Sequence, residues 1–161
     1  MGMAHDIGER PNTIPWPPLI YSAAMLLAWG LEQVDPFIWL DLQLRIVPEW
    51  AGVALFAIAI LADLGCFIVL RRKGTTVLPN APSKALVTTG PYRWSRNPIY
   101  VANTVALLGF ALALRWGWLL LLVPVTIAAV NWLAISREEA HLERRFGQDW
   151  RDYAARVRRW I

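Results

Sequence analysis

Four apolar stretches dominate the chain, and each is close to the length that a helix needs to cross a bilayer. They cover residues 16–31, 51–70, 99–114 and 116–135. A membrane helix needs about 20 predominantly apolar residues, so the pattern predicts four membrane spans, two of which extend slightly into their flanks. The connection between the last two stretches is so short that these helices must form a tight antiparallel hairpin.

The polar tail after the last stretch carries a different pattern. Between residues 135 and 160, apolar positions recur at intervals of three, four or seven. This spacing is typical of an amphipathic helix, with one aromatic and one basic face, that Gly147 breaks or bends. The predicted fold is therefore all-α: an integral membrane bundle of about four transmembrane helices with a C-terminal cytoplasmic amphipathic helix, forming a single domain over residues 1–161.

Composition agrees with a membrane protein. Of the 161 residues 57% are hydrophobic and 17% are charged, and the mean hydropathy is +0.38. These values are too apolar for an ordinary soluble domain. Residues 1–12 lack the basic flank and small-residue cleavage site of a signal peptide, so the N-terminus is expected to be retained. The single Cys66 cannot form an intramolecular disulfide.

Lysine and arginine positions predict the orientation. The chain has 16 of them, and all except Arg45 and Arg115 lie in residues 1–12, 71–96 or 137–159. Because basic residues favour the cytoplasmic side, both termini are predicted to be cytoplasmic, in a multi-pass protein of a bacterial-type inner membrane. The net charge of +4 is then explained by topology and by membrane lipid, and no nucleic-acid partner is expected.

Two polar segments could carry chemistry. The first precedes the third stretch, where Arg93 and Arg96 are three residues apart and can share one side of a helical turn. Such a pair suits a carboxylate or phosphate, although a basic cluster at the membrane surface is the alternative. The second contains Glu138 and Glu139, acids that an anionic leaflet would repel and that could hold an ammonium group or ribose hydroxyls. His141 is expected to lie on the surface.

Asp63 lies well inside the second apolar stretch. A buried acid there is costly unless it is paired or hydrated. Two interpretations stay open: Asp63 has a function within the membrane, or the helix is shifted so that this residue lies nearer the basic cluster.

Taken together, the two segments resemble a known family. The motifs are Thr-Gly-Pro-Tyr-Arg at 89–93, Arg-Asn-Pro-Ile-Tyr at 96–100, Glu-Glu at 138–139 followed by Leu142, and Phe-Gly at 146–147 followed by a tyrosine. With the hairpin between them, residues 86–161 resemble the isoprenylcysteine carboxyl methyltransferases and, more distantly, the phospholipid N-methyltransferases. The resemblance implies that residues 86–161 bind S-adenosylmethionine, while residues 1–85 supply N-terminal helices and a loop.

The resemblance also implies site residues. The cofactor-binding candidates are Gly90, Tyr92, Arg93, Pro98, Tyr100, Glu138, Glu139, Leu142 and Phe146. The catalytic candidates are Arg96, Asn97 and Arg156. If this assignment is right, the turn near residue 93 and the acids near residue 139 face each other across a shared pocket at the inner leaflet.

Position 97 departs from the eukaryotic pattern of the family, which usually has a histidine before the proline. Asn97 cannot act as a base, but a carboxylate or thiolate acceptor needs none. The predicted function is methyl transfer from S-adenosylmethionine to a lipophilic acceptor, a carboxylate, thiol or amine, at the cytoplasmic membrane face. The alternatives are an NADPH-dependent membrane reductase of sterol-reductase type and a small four-helix transporter that uses Asp63. Two histidines and one cysteine show no ligand spacing, so no metal is expected.

Overall fold

A computed structural model describes residues 14–35, 46–75 and 83–161, and within these ranges all regular structure is helical. This confirms the all-α prediction. Arg10 and Arg45, which entered the orientation argument, lie outside the described residues. The helices are α1 (Trp16–Val34), α2 (Glu49–Arg72), α3 (Pro98–Leu114), α4 (Gly117–Val130), α5 (Ser136–Phe146) and α6 (Gln148–Arg156), with a 3₁₀ turn at Gly90–Arg93 and a π turn at Asn131–Ile135.

Local chemistry explains where the helices begin and end. Proline lies in the first turn of α1 and of α3, where its missing N–H leaves no hydrogen bond unmade. Helix α3 ends at Arg115, which adopts the left-handed conformation with φ +58°. The Trp116 amide then donates to the Ala111 carbonyl oxygen at 2.9 Å. The predicted hairpin between α3 and α4 therefore forms with only two residues between the helices.

Among the residues that the structure describes, two helices are long and apolar enough to cross a bilayer: α2, and the continuous helix Gly117–Phe146 that contains α4, the π turn and α5. Helix α3 is apolar but shorter. Helix α2 exposes a large apolar face, as a lipid-facing helix does: Val53, Ile58, Ile60, Leu61, Leu64, Phe67 and Ile68. These features support a membrane protein, and the assignment of α1 and α3 as further spans stays a prediction.

Helices α2 and α3 pack with their backbones in contact. A Cβ atom added to Gly109 would lie 2.6 Å from the Phe56 nitrogen and 2.9 Å from the Gly52 carbonyl oxygen. One added to Gly52 would clash with the backbone of Ala113. Small residues allow this close approach in membrane helices. We call the contact among Gly52, Phe56, Gly109 and Ala113 the glycine seam.

Helix α1 packs mainly against α4, whereas α2 packs mainly against α3. Ala28 of α1 joins a buried apolar cluster with residues of α3 and α4. Nearer the start of α1, the Tyr21 hydroxyl donates to the Tyr100 carbonyl oxygen at 3.2 Å and shares a 3.1 Å hydrogen bond with the Thr104 hydroxyl. Helices α1 and α2 therefore pack mainly on different helices of the α3–α4 hairpin.

The polar tail forms two helices instead of one. Helix α5 ends at Gly147, whose φ is +54° and whose amide donates to the Glu143 carbonyl oxygen at 2.8 Å, so the predicted break is confirmed. Helix α6 then turns its aromatic face inward, and Trp150 and Tyr153 are only 5% and 3% exposed. The apolar stripe of α6 therefore packs on the protein itself.

Candidate functional site

A cavity of about 400 Å³ lies where the first turns of α1 and α3, the end of α2, the loop before α3 and the tail helices meet. Its volume is within the range of small-molecule sites, which is about 300 to 1,000 Å³. Its wall combines two kinds of residue. The apolar ones include Pro17, Pro18, Leu70, Leu86 and Ile99, and the charged and aromatic ones include Tyr92, Arg96, Tyr100, Glu138, His141 and Trp150.

The structure brings part of the predicted site to this cavity. The predicted residues that line it are Tyr92, Arg96, Asn97, Pro98, Tyr100, Glu138 and Leu142. The predicted residues outside its wall are Gly90, Arg93, Glu139, Phe146 and Arg156. The loop before the hairpin and the helix after it therefore share one pocket, as expected from the two motif segments.

Glu138 supplies the carboxylate of the cavity wall. The Tyr100 hydroxyl, on the first turn of α3, donates to Glu138 Oε1 at 2.7 Å. This distance is typical of an O–H···O hydrogen bond, and the Tyr100 side chain is buried. This contact fixes the carboxylate of α5 against the start of α3.

Arg96 supplies the cation of the cavity wall and is held from three sides. Its Nη2 lies 3.3 Å from Glu139 Oε1, its Nη1 donates to the Ala154 carbonyl oxygen at 3.4 Å, and its guanidinium lies 5.7 Å from the centre of the Trp150 ring. Arg96 also borders a second, more open cavity of about 540 Å³ whose wall includes Glu139 and Arg159. The neighbouring acids 138 and 139 therefore face different cavities.

Tyr153 of α6 is hydrogen-bonded to the loop that carries Arg96. The Tyr153 hydroxyl donates to the Tyr92 carbonyl oxygen at 2.7 Å. Burial raises the pKa of Tyr153 to about 12, against a smaller opposing effect of the Arg96 charge. Burial also raises the pKa of Tyr92, and nearby negative groups, Glu138 among them, add to this effect. Both phenols stay protonated at neutral pH, so Tyr153 acts as a hydrogen-bond donor.

Asn97 is buried at the start of α3, and its side-chain amide donates to the Arg159 carbonyl oxygen at 3.0 Å. Gly90 has φ +63°, and a Cβ atom there would lie 2.9 Å from Val69 Cγ2, so glycine allows the loop to pass close to α2. Arg93 and Arg156 are exposed, and Arg156 Nε donates to the carbonyl oxygen of Asp152 at 3.1 Å.

The structure adds residues that the sequence analysis did not assign to a site. His141, expected on the surface, is 5% exposed and lines the cavity. His141 lies three residues after Glu138, so the two side chains share one helical face. This spacing was the sequence feature that could have placed His141 in the site. Trp150 and Tyr153 of α6 and Tyr21 of α1 also line the cavity, through contacts between elements that no local pattern predicts.

Asp63 is half-buried in α2 and does not line the cavity. Its Oδ1 has no hydrogen-bond partner among the described residues. The two interpretations of this residue therefore both remain. In the described part of the chain, no three histidine, cysteine or acidic side chains come together as metal ligands.

The sequence profile of the phospholipid methyltransferase family matches residues 47–149. The chain belongs to this family. The match confirms the resemblance inferred from the motifs, and it covers α2, the loop with Arg96, the hairpin and the acids of α5. Other parts of the cavity wall lie outside the match: the residues of α1, and Trp150 and Tyr153 of α6.

Two curated proteins show further similarity to this member of the family. The nickel-cobalt-cadmium resistance protein NccN of Alcaligenes xylosoxydans xylosoxydans is 32% identical over 142 residues, which are 88% of this chain and 60% of NccN. An uncharacterized protein of Haemophilus influenzae is 36% identical over 63 residues, which are 39% of this chain and all of that protein. The chain thus spans about 60% of the length of NccN.

Proposed function

We propose that this chain transfers a methyl group from S-adenosylmethionine to a lipophilic acceptor at the cytoplasmic face of the membrane. The observation that carries the proposal is a cavity lined both by charged and aromatic residues and by apolar residues, in a member of the phospholipid methyltransferase family. The charged and aromatic residues suit the methyl donor, and the apolar residues suit an acceptor that is dissolved in lipid. The family membership favours methyl transfer over reduction by NADPH.

The charged and aromatic residues of the cavity fit the chemical groups of the donor. S-adenosylmethionine carries a carboxylate, an ammonium group, a ribose diol and an adenine ring, and its sulfonium supplies an electrophilic methyl group. Arg96 would hold the carboxylate and Glu138 the ammonium group or the diol, since charge-assisted hydrogen bonds suit both pairs. Tyr92 and Trp150 would supply aromatic surface beside the adenine.

The remaining groups of the cavity act on the acceptor. Asn97 cannot remove a proton, so a carboxylate or thiolate acceptor, which is already nucleophilic, is the simpler substrate. An acceptor amine must lose a proton first, and His141 is a group of the wall that could take it. The apolar residues of the wall, among them Leu70, Leu86 and Ile99, favour reaction between aligned, desolvated groups.

We propose that the acceptor enters from the bilayer between the starting turns of α1 and the end of α2. These helices pack on different members of the hairpin, and Pro17, Pro18 and Leu70 from their ends line the cavity. The exposed basic residues near this end, Arg71, Arg72, Lys73, Arg93, Arg144 and Arg145, favour a cytoplasmic location. A multi-pass protein of a bacterial-type inner membrane with both termini cytoplasmic fits this arrangement.

The test is to incubate membranes that contain the protein with methyl-labelled S-adenosylmethionine and to identify the labelled lipid or thiol. The expected result is a labelled lipophilic product that is lost with Glu138→Gln, a variant of nearly unchanged size. Titration of the purified protein with NADPH runs in parallel. NADPH binding without donor binding or label transfer would overturn the proposal in favour of the reductase.

A further inference from the structure

The last residues of the chain run back over the loop that carries Arg96. The Arg96 amide donates to the Arg158 carbonyl oxygen at 2.9 Å. The Ser95 hydroxyl and the Asn97 side-chain amide both donate to the Arg159 carbonyl oxygen, at 3.2 and 3.0 Å. Residues 158–160, which we call the strap, therefore hold three consecutive residues of the loop.

The strap is also fixed to the continuous helix Gly117–Phe146. Trp160 Nε1 donates to Asn131 Oδ1 at 3.1 Å, within the π turn. The Trp160 ring packs against a buried cluster that contains Tyr100 and Val130. The strap thus joins the loop to the helix that continues into α5 and its two acids.

A line of charges runs from the strap to the cavity. Arg159 Nη2 contacts Glu139 Oε2, and Glu139 Oε1 lies 3.3 Å from Arg96 Nη2. The Glu139 side chain is only 13% exposed, and a carboxylate buried to this degree is destabilising unless cations face it. Both arginines therefore face the same carboxylate, Arg159 through a hydrogen bond to Oε2 and Arg96 through an ion pair at Oε1, so the position of one constrains the other.

We propose that Arg159 is a positioning residue for donor binding, which orients the Arg96 guanidinium through Glu139 without contacting the ligand itself. Arg159 does not line the first cavity, whereas Arg96 does. This inference rests on the proposed function, because it assumes that Arg96 holds the methyl donor. It gives Glu139 a role in supporting Arg96, while Glu138 faces the ligand.

The experiment titrates S-adenosylmethionine into the purified, detergent-solubilised protein in a calorimeter. The variants are Arg159→Ala, Arg159→Lys, Glu139→Gln and the double variant Glu139→Gln with Arg159→Ala. The control is Arg145→Ala, because Arg145 is exposed and lines neither cavity. Thermal unfolding of each variant separates loss of binding from loss of the fold.

Arg159→Ala should weaken donor binding about tenfold, equivalent to about 1.4 kcal/mol, while Arg145→Ala binds like the unaltered protein. Arg159→Lys, which keeps the positive charge, should recover most of the affinity. The double variant should bind no more weakly than Glu139→Gln alone, because Arg159 acts through Glu139.

Two results would overturn the inference while leaving the proposed function intact: Arg159→Ala binding as well as Arg145→Ala, or fully additive losses in the double variant. Failure of Arg159→Lys to recover affinity in a folded protein would also contradict it, since the charge would then not be the cause. If the unaltered protein does not bind S-adenosylmethionine, the proposed function fails and the role of Arg159 in donor binding fails with it.

Discussion

The glycine seam and the strapped loop, which is the loop that carries Arg96 and is held by the strap, bring chain segments together by different physical means. In the seam, α2 and α3 meet backbone to backbone, and the absence of side chains at Gly52 and Gly109 makes the contact possible. Around the strapped loop, segments far apart in sequence are joined by hydrogen bonds and ion pairs among Arg96, Glu139 and Arg159. The seam depends on shape and should tolerate no added volume. The loop depends on donors, acceptors and charge, and should respond to changes that leave volume almost unchanged.

The largest effect is expected at the seam. Gly109→Val adds a branched side chain within 3 Å of the Phe56 backbone, so α2 and α3 must separate. Overpacking of this kind costs about 3 kcal/mol, which we expect to appear as a lower unfolding temperature and poor recovery in detergent. Gly30→Val is the matched control, because a Cβ atom there has no neighbour within 4 Å. Equal stability of the two variants would contradict the close contact.

Next is a change at Arg96 that preserves charge. Arg96→Lys removes the planar fork that reaches both Glu139 and the Ala154 carbonyl oxygen, so donor affinity should fall about tenfold with little change in unfolding temperature. Arg93→Lys should have a clearly smaller effect, because Arg93 is exposed outside the cavity. Calorimetric titration of both variants with S-adenosylmethionine compares the two positions. A larger loss at Arg93 would reverse our assignment of the cation.

A smaller effect is expected from Tyr153→Phe, which removes the hydrogen bond to the Tyr92 carbonyl oxygen and should cost about 1 kcal/mol. Burial raises the pKa of Tyr153 from its ordinary value of 10.0 to about 12 in the folded protein. Below pH 10 the phenol is protonated in the folded and the unfolded protein alike, and it contributes fully to the stability of the fold. That contribution disappears as the pH rises to about 12. Unfolding temperatures measured from pH 8 to above pH 11 should therefore converge for the two proteins at the alkaline end. A constant difference across this range would argue against the raised pKa.

The smallest effect is expected at the opposite end of the bundle, where Arg115 Nε lies 2.9 Å from Glu49 Oε1. This pair joins α2 to the hairpin turn, but the Glu49 side chain is 63% exposed. Exposed ion pairs contribute less than about 1 kcal/mol, so Glu49→Gln should barely change the unfolding temperature and should leave donor affinity unaltered. A loss comparable to that of Arg96→Lys would show that charge pairs matter equally in both regions.

The helices could be predicted closely from the sequence. The apolar stretch at 51–70 corresponds to α2, Glu49–Arg72, and the stretch at 99–114 to α3, Pro98–Leu114. These boundaries are local, since charge or proline interrupts the apolar pattern at each end. The break at Gly147 was predictable for the same reason.

The site was predictable only in part. The motifs identified Arg96, Tyr100 and Glu138, which the structure gathers around one cavity. Whether Glu138 or Glu139 faces the cavity depends on the rotation of α5 about its axis, which tertiary packing sets. The contacts of the strap with the loop escaped prediction because they use backbone carbonyl oxygens of the strap, and any residue type supplies these.

The π turn at Asn131–Ile135 has a consequence for insertions and deletions. A turn of this kind accommodates one residue more than a regular α-helical turn, so the segment before it and the segment after it keep their alignment despite the extra residue. Removing one residue at another position before Glu138 would rotate the rest of the helix by about 100° about its axis and turn the Glu138 side chain away from Tyr100. A shortened π turn can instead relax to regular α-helix, which makes this the position where evolution can change the length of the helix and leave the acids in register.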